Sequence, residues 1–460
     1  VVGKYFLPIF IEKGLYTIPE FIEKRFSTNL KTILAIFWIS LFVFVNLTTV
    51  LFLGAKALDI VIGTGDGSLL LGSIIGLGLF AAAYSLWGGL AAVAWTDVIQ
   101  VILLIFGGLM MTYFALTNVT ESGSFIDGLS YVYNTVPERF TMIVSKGEII
   151  NTNGDDTWNN LPGIAVLVGG MWVANLYYWG FNQYIIQRTL AAKNLKEGQK
   201  GIAFAAFLKL LMPLIVVVPG IVAYVMNLDP SGAFNPETID QTFIGENGLI
   251  ENDNAAPWLI KNFIPSGFLG LILAALAAAI VSSLASMMNS ISTIFTMDIY
   301  KMAKSGRSES HYVMVGRLTA VSAMIFAVII AQPIFQNMES AFQTVQELTG
   351  YVAPGVVSVF LLGMFYKSAN SSGAYAMLIA SIVLSPAVAF FFPDFQFVNR
   401  IWAIFLGCAV LGVVVSKFTN APLKEQSVNL GDINFKTSAS FNMWSVIIGL
   451  SLIALYAAFW

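Results

Sequence analysis

Long, continuously apolar stretches recur along the whole chain and are separated by short polar connections. Most cover about 18 to 28 residues, which lets a helix cross a hydrocarbon layer of ~30 Å. They lack the ten-residue alternation of transmembrane β-strands, so the predicted fold is all-α. We predict eleven membrane-spanning helices, at residues 31–54, 67–86, 94–116, 163–187, 201–226, 266–300, 313–332, 341–366, 373–392, 400–416 and 441–459.

The composition agrees with a polytopic membrane protein. Hydrophobic residues make up 57% of the 460 residues and charged residues 11%, and the mean hydropathy is +0.78. That leaves too little polar surface to cover a soluble particle. One Cys and one His are too few for a disulfide framework or a His/Cys metal site, and Cys408 lies in an apolar run where it should simply pack. Since His311 stands in a loop without a catalytic constellation, no enzyme is expected.

The Lys and Arg residues of the connecting loops predict the orientation. Loops on one side of the predicted membrane, at 12–31, 188–200, 301–312, 367–372 and 417–440, hold fifteen of them, and the opposite side holds five. The two long loops of that opposite side are acidic. The basic side is therefore predicted to be cytoplasmic. The net charge of −3 gives no reason to expect a nucleic acid partner.

The predicted helix 266–300 carries an unusual number of hydroxyl groups. Ser282, Ser286, Asn289 and Thr293 fall in one stripe at about 100° per residue. Ser283 lies beside it, and its hydroxyl and that of Ser282 stand near the carbonyls of Ala279 and Ile280, which could be free. Neutral oxygens of this kind suit a monovalent cation such as sodium, and transporters build cation sites where helices unwind near the midplane. Packing by small residues is the alternative reading.

The predicted helix 163–187 combines helix-breaking glycines with amides and aromatic rings. Gly163 and Gly169-Gly170 can interrupt it. Beyond them, Asn175, Tyr178, Trp179 and Asn182 share one face. Amides that donate and accept suit hydroxyl groups, and aromatic rings suit the apolar face of a pyranose. The pattern indicates a polar, uncharged ligand, although an aromatic stripe is also typical of a core or an interface belt.

Two further helices carry polar groups where the membrane makes them unfavourable. Lys209 lies near the middle of the 201–226 helix, where an unpaired ammonium would cost at least ~2.5 kcal/mol. We expect it to face a cavity or a partner, with snorkelling to the interface as the alternative. The helix from 341 carries Phe342, Gln346 and Glu347, and Gly350 and Pro354 should interrupt it. Alternatively, these polar residues only cap the start of the helix at the outer surface of the membrane.

Four segments resemble the sodium/solute symporter family, in particular its sodium/sugar members. They are WVANLYYWGFNQYIIQRTLAAK from Trp172 to Lys193, AALAAAIVSSLASMMNS at 274–290, STIFTMDIYK at 292–301 and YSLWGGLAAVAWTDVIQV at 84–101. The last also resembles the family's glycine-glycine signature. A second signature after Lys367 is only approximate, because Gly373-Ala374 stands one position too far from the basic residue. The resemblance covers essentially the whole chain.

The resemblance implies a leucine-transporter-type bundle of two inverted five-helix repeats that works by alternating access. The chain would form one transmembrane domain. Residues 1–116 would be the remainder of the first repeat, 161–366 the second inverted repeat and 373–460 peripheral helices. Val1 to Phe10 looks like the end of a helix. By the resemblance, the N-terminal helices that precede this point, with about half of each site and the acidic partner of Lys209, are expected to be absent from this sequence.

The resemblance also implies roles for individual residues. Ala279, Ser282 and Ser283 would bind sodium, the coupling ion, and Asp97 would lie on the cation pathway. A larger set of residues would contact the sugar. Asn175, Lys209, Ser286 and Gln346 would hydrogen-bond it, Tyr178 would close over it from the cytoplasmic side, and Trp179 and Phe342 would wall the pocket.

The expected function is therefore sodium-coupled symport of a galactose- or glucose-like sugar across a bacterial plasma membrane, with the lipid bilayer as the protein's surroundings. Symport of an inositol, an amino acid or a vitamin is an alternative, although an amino acid would call for a carboxylate partner. A transporter-like sensor module is another alternative, which the lack of a soluble signalling domain after Trp460 disfavours.

Overall fold

The computed structural model describes residues 1–150, 154–161, 163–228, 239–245, 250–336, 341–419, 430–431 and 433–460, apart from the side chains of residues 89–92 and 342. These residues fold almost entirely as helices, as predicted. The long helices are rich in apolar side chains. Because they are helical, they also satisfy backbone hydrogen bonds within the segment, which a lipid environment requires.

Nine helices are long and apolar enough to cross a membrane within the described ranges. They are α3 (Thr28–Ile62), α4 (Leu70–Gly88), α5 (Val93–Asn118), α10 (Leu195–Met226), α12 (Ser266–Ala303), α13 (Glu309–Phe335), α16 (Ser371–Phe391), α17 (Phe397–Phe418) and α18 (Ala439–Ala458). Counting two bent pairs as one span each gives eleven. The predicted number of spans is confirmed on that count.

Shorter helices complete the chain. On the N-terminal side these are α1 (Leu7–Glu12), α2 (Ile18–Arg25) and α6 (Phe125–Thr135). The first bent pair consists of α7 (Ile164–Val168) and α8, which runs from Gly170 to Phe181, and α9 (Gln183–Leu190) follows it. The outer connection before α12 contains α11 (Ala255–Phe263), and the second bent pair consists of α14 (Ala341–Gly350) and α15 (Ala353–Phe365).

One predicted connection is itself helical. The spans α4 and α5 follow one another within a single helical run, Leu70–Asn118, instead of being separated by a loop between residues 86 and 94. No proline lies in that interval, and glycine alone weakens a helix by only about 1 kcal/mol, so helix propensity and packing prevail.

The first predicted break, at the glycines, is confirmed. The helical segments on either side of Gly169 are bent by 79° relative to each other. Gly163, at the start of α7, has φ of +52°, a conformation that a residue with a Cβ rarely adopts. Gly170 packs directly on the backbone of Val398 at the start of α17. Glycine therefore both permits the break and lets α8 approach its neighbour closely.

The second break lies between α14 and α15, which are bent by 49°. Pro354 lacks a backbone N–H, so the helix cannot continue regularly through it. Ser381 of α16 compensates for the interruption: its Oγ accepts the N–H of Gly355 at 3.0 Å and donates to the carbonyl of Tyr351 at 3.0 Å. One hydroxyl thus satisfies backbone groups on both sides of the break.

The core lies where α3, α8, α12 and α15 meet. Trp38 and Phe181 are fully buried there, and both contact Phe360; the ring centroids of Phe181 and Phe360 are 4.5 Å apart. The C-terminal helix α18 differs, because only 6% of its most apolar window is buried. Its exposed apolar side chains fit contact with lipid. The interior therefore centres on the two helices that carry the candidate site residues, α8 and α12.

The close approach of Gly170 to Val398 gives a first prediction. A Cβ added at Gly170 would lie 1.9 Å from the carbonyl oxygen of Val398, so backbone would have to move. Gly170→Ala should therefore destabilise the protein by about 1–3 kcal/mol. Gly76→Ala, inside α4 with no atom within 4 Å of the added methyl, should be neutral or stabilising. Thermal unfolding in detergent measures both, and equal melting temperatures would contradict the packing argument.

Candidate functional site

The first polar cluster brings together Lys209, Trp179 and Tyr178. The Nζ atom of Lys209 lies over the ring of Trp179, 4.8 Å from its centroid. Tyr178 meets Trp179 edge to face, with centroids 5.2 Å apart. Lys209 is exposed in the structure, and both rings are half-buried. A cation over an indole face is a favourable contact, so Trp179 stabilises the ammonium group of Lys209.

A helical irregularity positions the two rings. Tyr177–Phe181, the last turn of α8, is π-helical, and such turns interrupt the regular backbone pattern and often occur at functional sites. The neighbours Tyr177 and Phe181 are fully buried and anchor this turn in the core. Tyr178 and Trp179 are left half-buried beside α10.

The second cluster centres on Asp97 of α5. Its Oδ2 accepts hydrogen bonds from Nε and NH2 of Arg188 at 2.9 and 2.6 Å, and its Oδ1 accepts one from the hydroxyl of Ser282. Arg188 also donates to the hydroxyl of Ser286. The guanidinium and the carboxylate thus join α5 and α9 to the hydroxyl stripe of α12. Hydrogen bonds between a guanidinium and a carboxylate are charge-assisted and therefore stronger than those between neutral groups.

Tyr184 of α9 connects the two clusters. Its hydroxyl donates to the hydroxyl of Tyr178 at 3.0 Å, and its carbonyl accepts a hydrogen bond from NH1 of Arg188 at 3.0 Å. The ring of Tyr184 also packs edge to face on Phe42 of α3. Hydrogen bonds through Tyr184 therefore connect the two clusters without interruption.

The hydroxyl stripe of α12 is arranged differently from the expectation. The carbonyl of Ala279 is not free, because it accepts the hydroxyl of Ser283 at 3.0 Å. Ser286 likewise donates to the carbonyl of Ser282 at 2.7 Å. The helix is unbroken from Ser266 to Ile294, so its hydroxyls bond back to the preceding turn. A hydroxyl that donates its hydrogen keeps lone pairs that a cation could use.

Two predicted site residues are not joined to these clusters, and the side chain of a third is not described. Asn175 is exposed, and its amide donates to the carbonyl of Met171 in its own helix at 2.8 Å. Gln346 is also exposed, on α14. The side chain of Phe342 lies outside the described residues. The structure thus assembles part of the predicted sugar set, namely Tyr178, Trp179 and Lys209.

Arg188 is the main residue that sequence reasoning missed. In the sequence it falls in the connection predicted at residues 188–200, where a basic residue is ordinarily interpreted as an orientation signal. One signal was available: Asp97 is an acidic residue inside an apolar window, and a carboxylate in that position needs a partner. The sequence does not show which of the many Lys and Arg residues in the loops predicted to be cytoplasmic is the partner of Asp97.

The oxygens of this region suit a monovalent cation better than a multivalent metal. Hydroxyls, carbonyls and the single carboxylate of Asp97 are the oxygens near Ser282 and Ser283. Within the described residues, no group of three or more His, Cys, Asp or Glu side chains could hold a metal ion. The oxygens of this region are therefore mostly neutral.

Comparison with known proteins identifies the family. The family model "Sodium:solute symporter family" matches residues 1–381. A "Sodium/glucose cotransporter" from Vibrio parahaemolyticus is 49% identical over 462 residues, covering 100% of this chain and 82% of the relative. A "Sodium/myo-inositol cotransporter" from Canis lupus familiaris is 30% identical, covering 93% of this chain and 62% of its own length. The chain thus spans about three fifths of that mammalian relative.

A solved structure shares the fold. It is the outward-open state of a Na⁺-coupled sialic acid symporter, with a TM-score of 0.72 and 23% sequence identity, covering 91% of this chain and 81% of that chain. At that identity the likeness shows the fold alone. The prediction of an all-α, polytopic fold of the sodium-symporter type is confirmed.

The Asp97–Arg188 pair yields a second prediction. Its side chains are 18% and 31% exposed, so removing one partner leaves a poorly solvated charge. Asp97→Asn alone should therefore destabilise the protein more than the double variant with Arg188→Gln, with a coupling free energy of about 1 kcal/mol. Unfolding in detergent across the four proteins of this double-mutant cycle measures it.

A matched surface pair serves as the control for that cycle. Glu197 and Lys200 form an ion pair within α10 whose side chains are 50% and 41% exposed. Their coupling should stay below ~0.5 kcal/mol. Strict additivity at Asp97 and Arg188, or equal coupling in both pairs, would show that the half-buried pair does not hold α5 and α9 together.

Proposed function

Since this chain belongs to the sodium:solute symporter family, a family of multi-pass membrane transporters, we propose that it couples the inward movement of sodium to the uptake of a glucose- or galactose-like sugar. The observation that carries this proposal is the 49% identity, over the whole chain, to a relative named sodium/glucose cotransporter. That relative is bacterial, which favours a bacterial plasma membrane as the location.

The cluster of Tyr178, Trp179 and Lys209 is the proposed sugar-binding part of the site. Aromatic rings match the apolar C–H face of a pyranose, and an ammonium group donates hydrogen bonds to hydroxyls. The cation–π contact at 4.8 Å holds Lys209 beside Trp179 before sugar arrives. We assign Asn175, Ser286, Phe342 and Gln346 to the same site as further sugar contacts, on the family resemblance.

The proposed sodium site consists of the hydroxyls of Ser282 and Ser283 and the carbonyl of Ala279. Asp97 lies beside it, since it accepts the hydroxyl of Ser282, and is the proposed first stop on the cation pathway. Arg188 fills the space next to the Asp97 carboxylate in the structure. We infer that its guanidinium neutralises Asp97 when no sodium is near, and that sodium and Arg188 compete for that carboxylate.

Coupling to sodium provides enough free energy for strong accumulation. A membrane potential of ~100 mV contributes roughly 2.3 kcal/mol per inward sodium ion. A tenfold sodium gradient adds about 1.4 kcal/mol, so one coupled ion could support on the order of 500-fold accumulation of sugar. In alternating access this requires that the site open to one side at a time. Two inverted repeats would supply that movement; residues 1–116 are the proposed remainder of the first and residues 161–366 the proposed second.

An inositol is the second candidate substrate, because mammalian sodium/myo-inositol cotransporters are 30–33% identical to this chain. Inositol has the hydroxyl-rich ring of a sugar but no ring oxygen, so the same contacts could hold it. The decisive experiment is sodium-dependent uptake of labelled glucose into proteoliposomes, with galactose and myo-inositol as competitors. Competition by the hexose and not by inositol is expected. Glucose uptake that does not depend on sodium would contradict the proposal.

Lys209 supports a third prediction. Lys209→Ala should weaken sugar binding about tenfold or more, because it removes hydrogen bonds from a charged donor, about 1.5–3 kcal/mol. Lys200→Ala, on the same helix but in a surface ion pair, is the matched control and should bind sugar normally. Equilibrium binding of labelled glucose in sodium buffer measures both. Wild-type affinity in the Lys209 variant would remove that residue from the site.

Ser283 supports a fourth prediction. Ser283→Ala should raise the sodium concentration needed for half-maximal uptake several-fold, because one oxygen ligand is lost, while the order of competing sugars stays unchanged. Thr293→Val is the matched control, since its hydroxyl makes the same type of bond to the preceding turn, at 2.8 Å to the carbonyl of Asn289. An unchanged sodium dependence would leave Ser283 with a packing role only.

A further inference from the structure

A three-residue segment between α1 and α2 is held by two separate helices. Tyr16, Thr17 and Ile18 connect the end of α1 to the start of α2. Thr17 and Ile18 are buried, although the segment has no helical structure before Ile18. On one side the segment bonds to α9, and on the other side to the last turns of α12. It therefore bridges the helices on which the two proposed binding sites depend.

Gln183 makes the contact from α9. Its Oε1 accepts the backbone N–H of Ile18 at 2.8 Å, and its Nε2 donates to the carbonyl of Tyr16 at 3.3 Å. The side chain of Gln183 is buried, at 1% exposure. A buried amide that matches both a donor and an acceptor of one backbone segment is a specific contact, since either lost bond would leave a buried polar group unpaired.

Asp298 makes the contact from α12. Its Oδ1 accepts the hydroxyl of Thr17 at 3.1 Å, and Lys31 of α3 lies 4.0 Å from the same oxygen. Lys31 is itself paired with Glu23 of α2. Asp298 is 2% exposed, and among the described residues its Oδ2 has no hydrogen-bond partner. A buried carboxylate so sparsely bonded is unfavourable, which is typical of a functional rather than a merely stabilising role.

Thr17 joins the two contacts. Its hydroxyl donates to Asp298 and accepts the N–H of Glu20, which caps the start of α2. A shift of α12 along its axis would therefore be transmitted through Thr17 to the backbone that Gln183 holds. Gln183 lies five residues after Tyr178 in the chain, and Asp298 is in the same helix as Ser282 and Ser283.

We propose that the Tyr16–Ile18 segment, held by Gln183 and Asp298, is a brace that couples the sodium-binding helix α12 to the sugar-binding helix pair α8 and α9. The proposal rests on the proposed function. Thr17, Gln183 and Asp298 are positioning residues, since none of them is among the proposed sodium or sugar contacts. Sodium bound at α12 would favour one position of the brace, and the brace would bias α9 and, through it, Tyr178. The brace is thus one physical route by which sodium raises sugar affinity.

The test measures the coupling itself. The affinity for labelled glucose is determined with sodium and with choline in its place, and the ratio of the two affinities is the sodium enhancement. Thr17→Val removes the hydroxyl and keeps the shape, and Asp298→Asn removes the charge. Both should reduce the enhancement about fivefold or more, the scale of typical allosteric couplings. Thr17→Ser should keep it, because the hydroxyl remains.

The control is Thr32→Val in α3. Within the part of the chain that the structure describes, its hydroxyl bonds only to the carbonyl of Thr28 in its own helix, at 3.1 Å. The enhancement should equal that of the unmodified protein. If the unmodified protein shows no sodium enhancement, the proposed function fails. If it does show one, and Thr17→Val and Asp298→Asn retain it in full, the brace is wrong and the function stands.

A second measurement needs no variant and so does not depend on whether the variants fold. Hydrogen–deuterium exchange of the backbone N–H of Ile18 reports directly on its bond to Gln183. Sodium added without sugar should change the exchange rate of the peptide that contains Ile18. The backbone N–H of Leu30 is the internal reference. It donates to the hydroxyl of Ser27, the N-cap of α3, at 3.2 Å, and its exchange rate should not change with sodium. An Ile18 amide that is equally insensitive to sodium would overturn the proposal.

Discussion

The structure depends on one constraint: a backbone polar group inside a hydrocarbon layer must find its hydrogen-bond partner within the protein. Continuous helices meet it locally, and most of this chain takes that form. Where a helix breaks, another element has to supply the missing partner. Ser381 does so at the break before α15, where one hydroxyl serves both Gly355 and Tyr351. At this break, therefore, a side chain of the neighbouring helix replaces the partners that the interrupted helix cannot supply.

The same constraint acts on polar side chains and explains why they are grouped. Asp97, Arg188, Ser282 and Ser286 satisfy one another, and Tyr184 extends the group to Tyr178. Any ligand that enters such a group must replace bonds that are already made. A site of this kind responds to an ion by exchanging partners, which is a physical basis for linking sodium to sugar and for the proposed role of the Thr17 brace.

Much of the fold could be predicted from the sequence. The spans follow from windows of apolar residues, and the bend at Gly169 follows from the glycines around it. The candidate site was predicted less completely. Lys209 was expected to face a cavity or a partner, and the structure places it over the ring of Trp179. Arg188 was missed. The sequence left open that the carbonyl of Ala279 is free, but this carbonyl accepts the hydroxyl of Ser283, because a regular helix lets a serine bond back to its own preceding turn.

The sequence by itself determined the fold class, the number of spans and the two bends near Gly169 and Pro354, but not that the connection predicted between residues 86 and 94 is helical. Transfer of apolar residues into lipid and the conformational limits of glycine and proline are local properties, so each is readable from a short window. Only the tertiary structure decided which polar groups meet. Arg188 and Asp97 are 91 positions apart, and Asp97 and Ser282 are 185 apart. Such pairs form because distant helices pack side by side, and no local property of either residue specifies its partner.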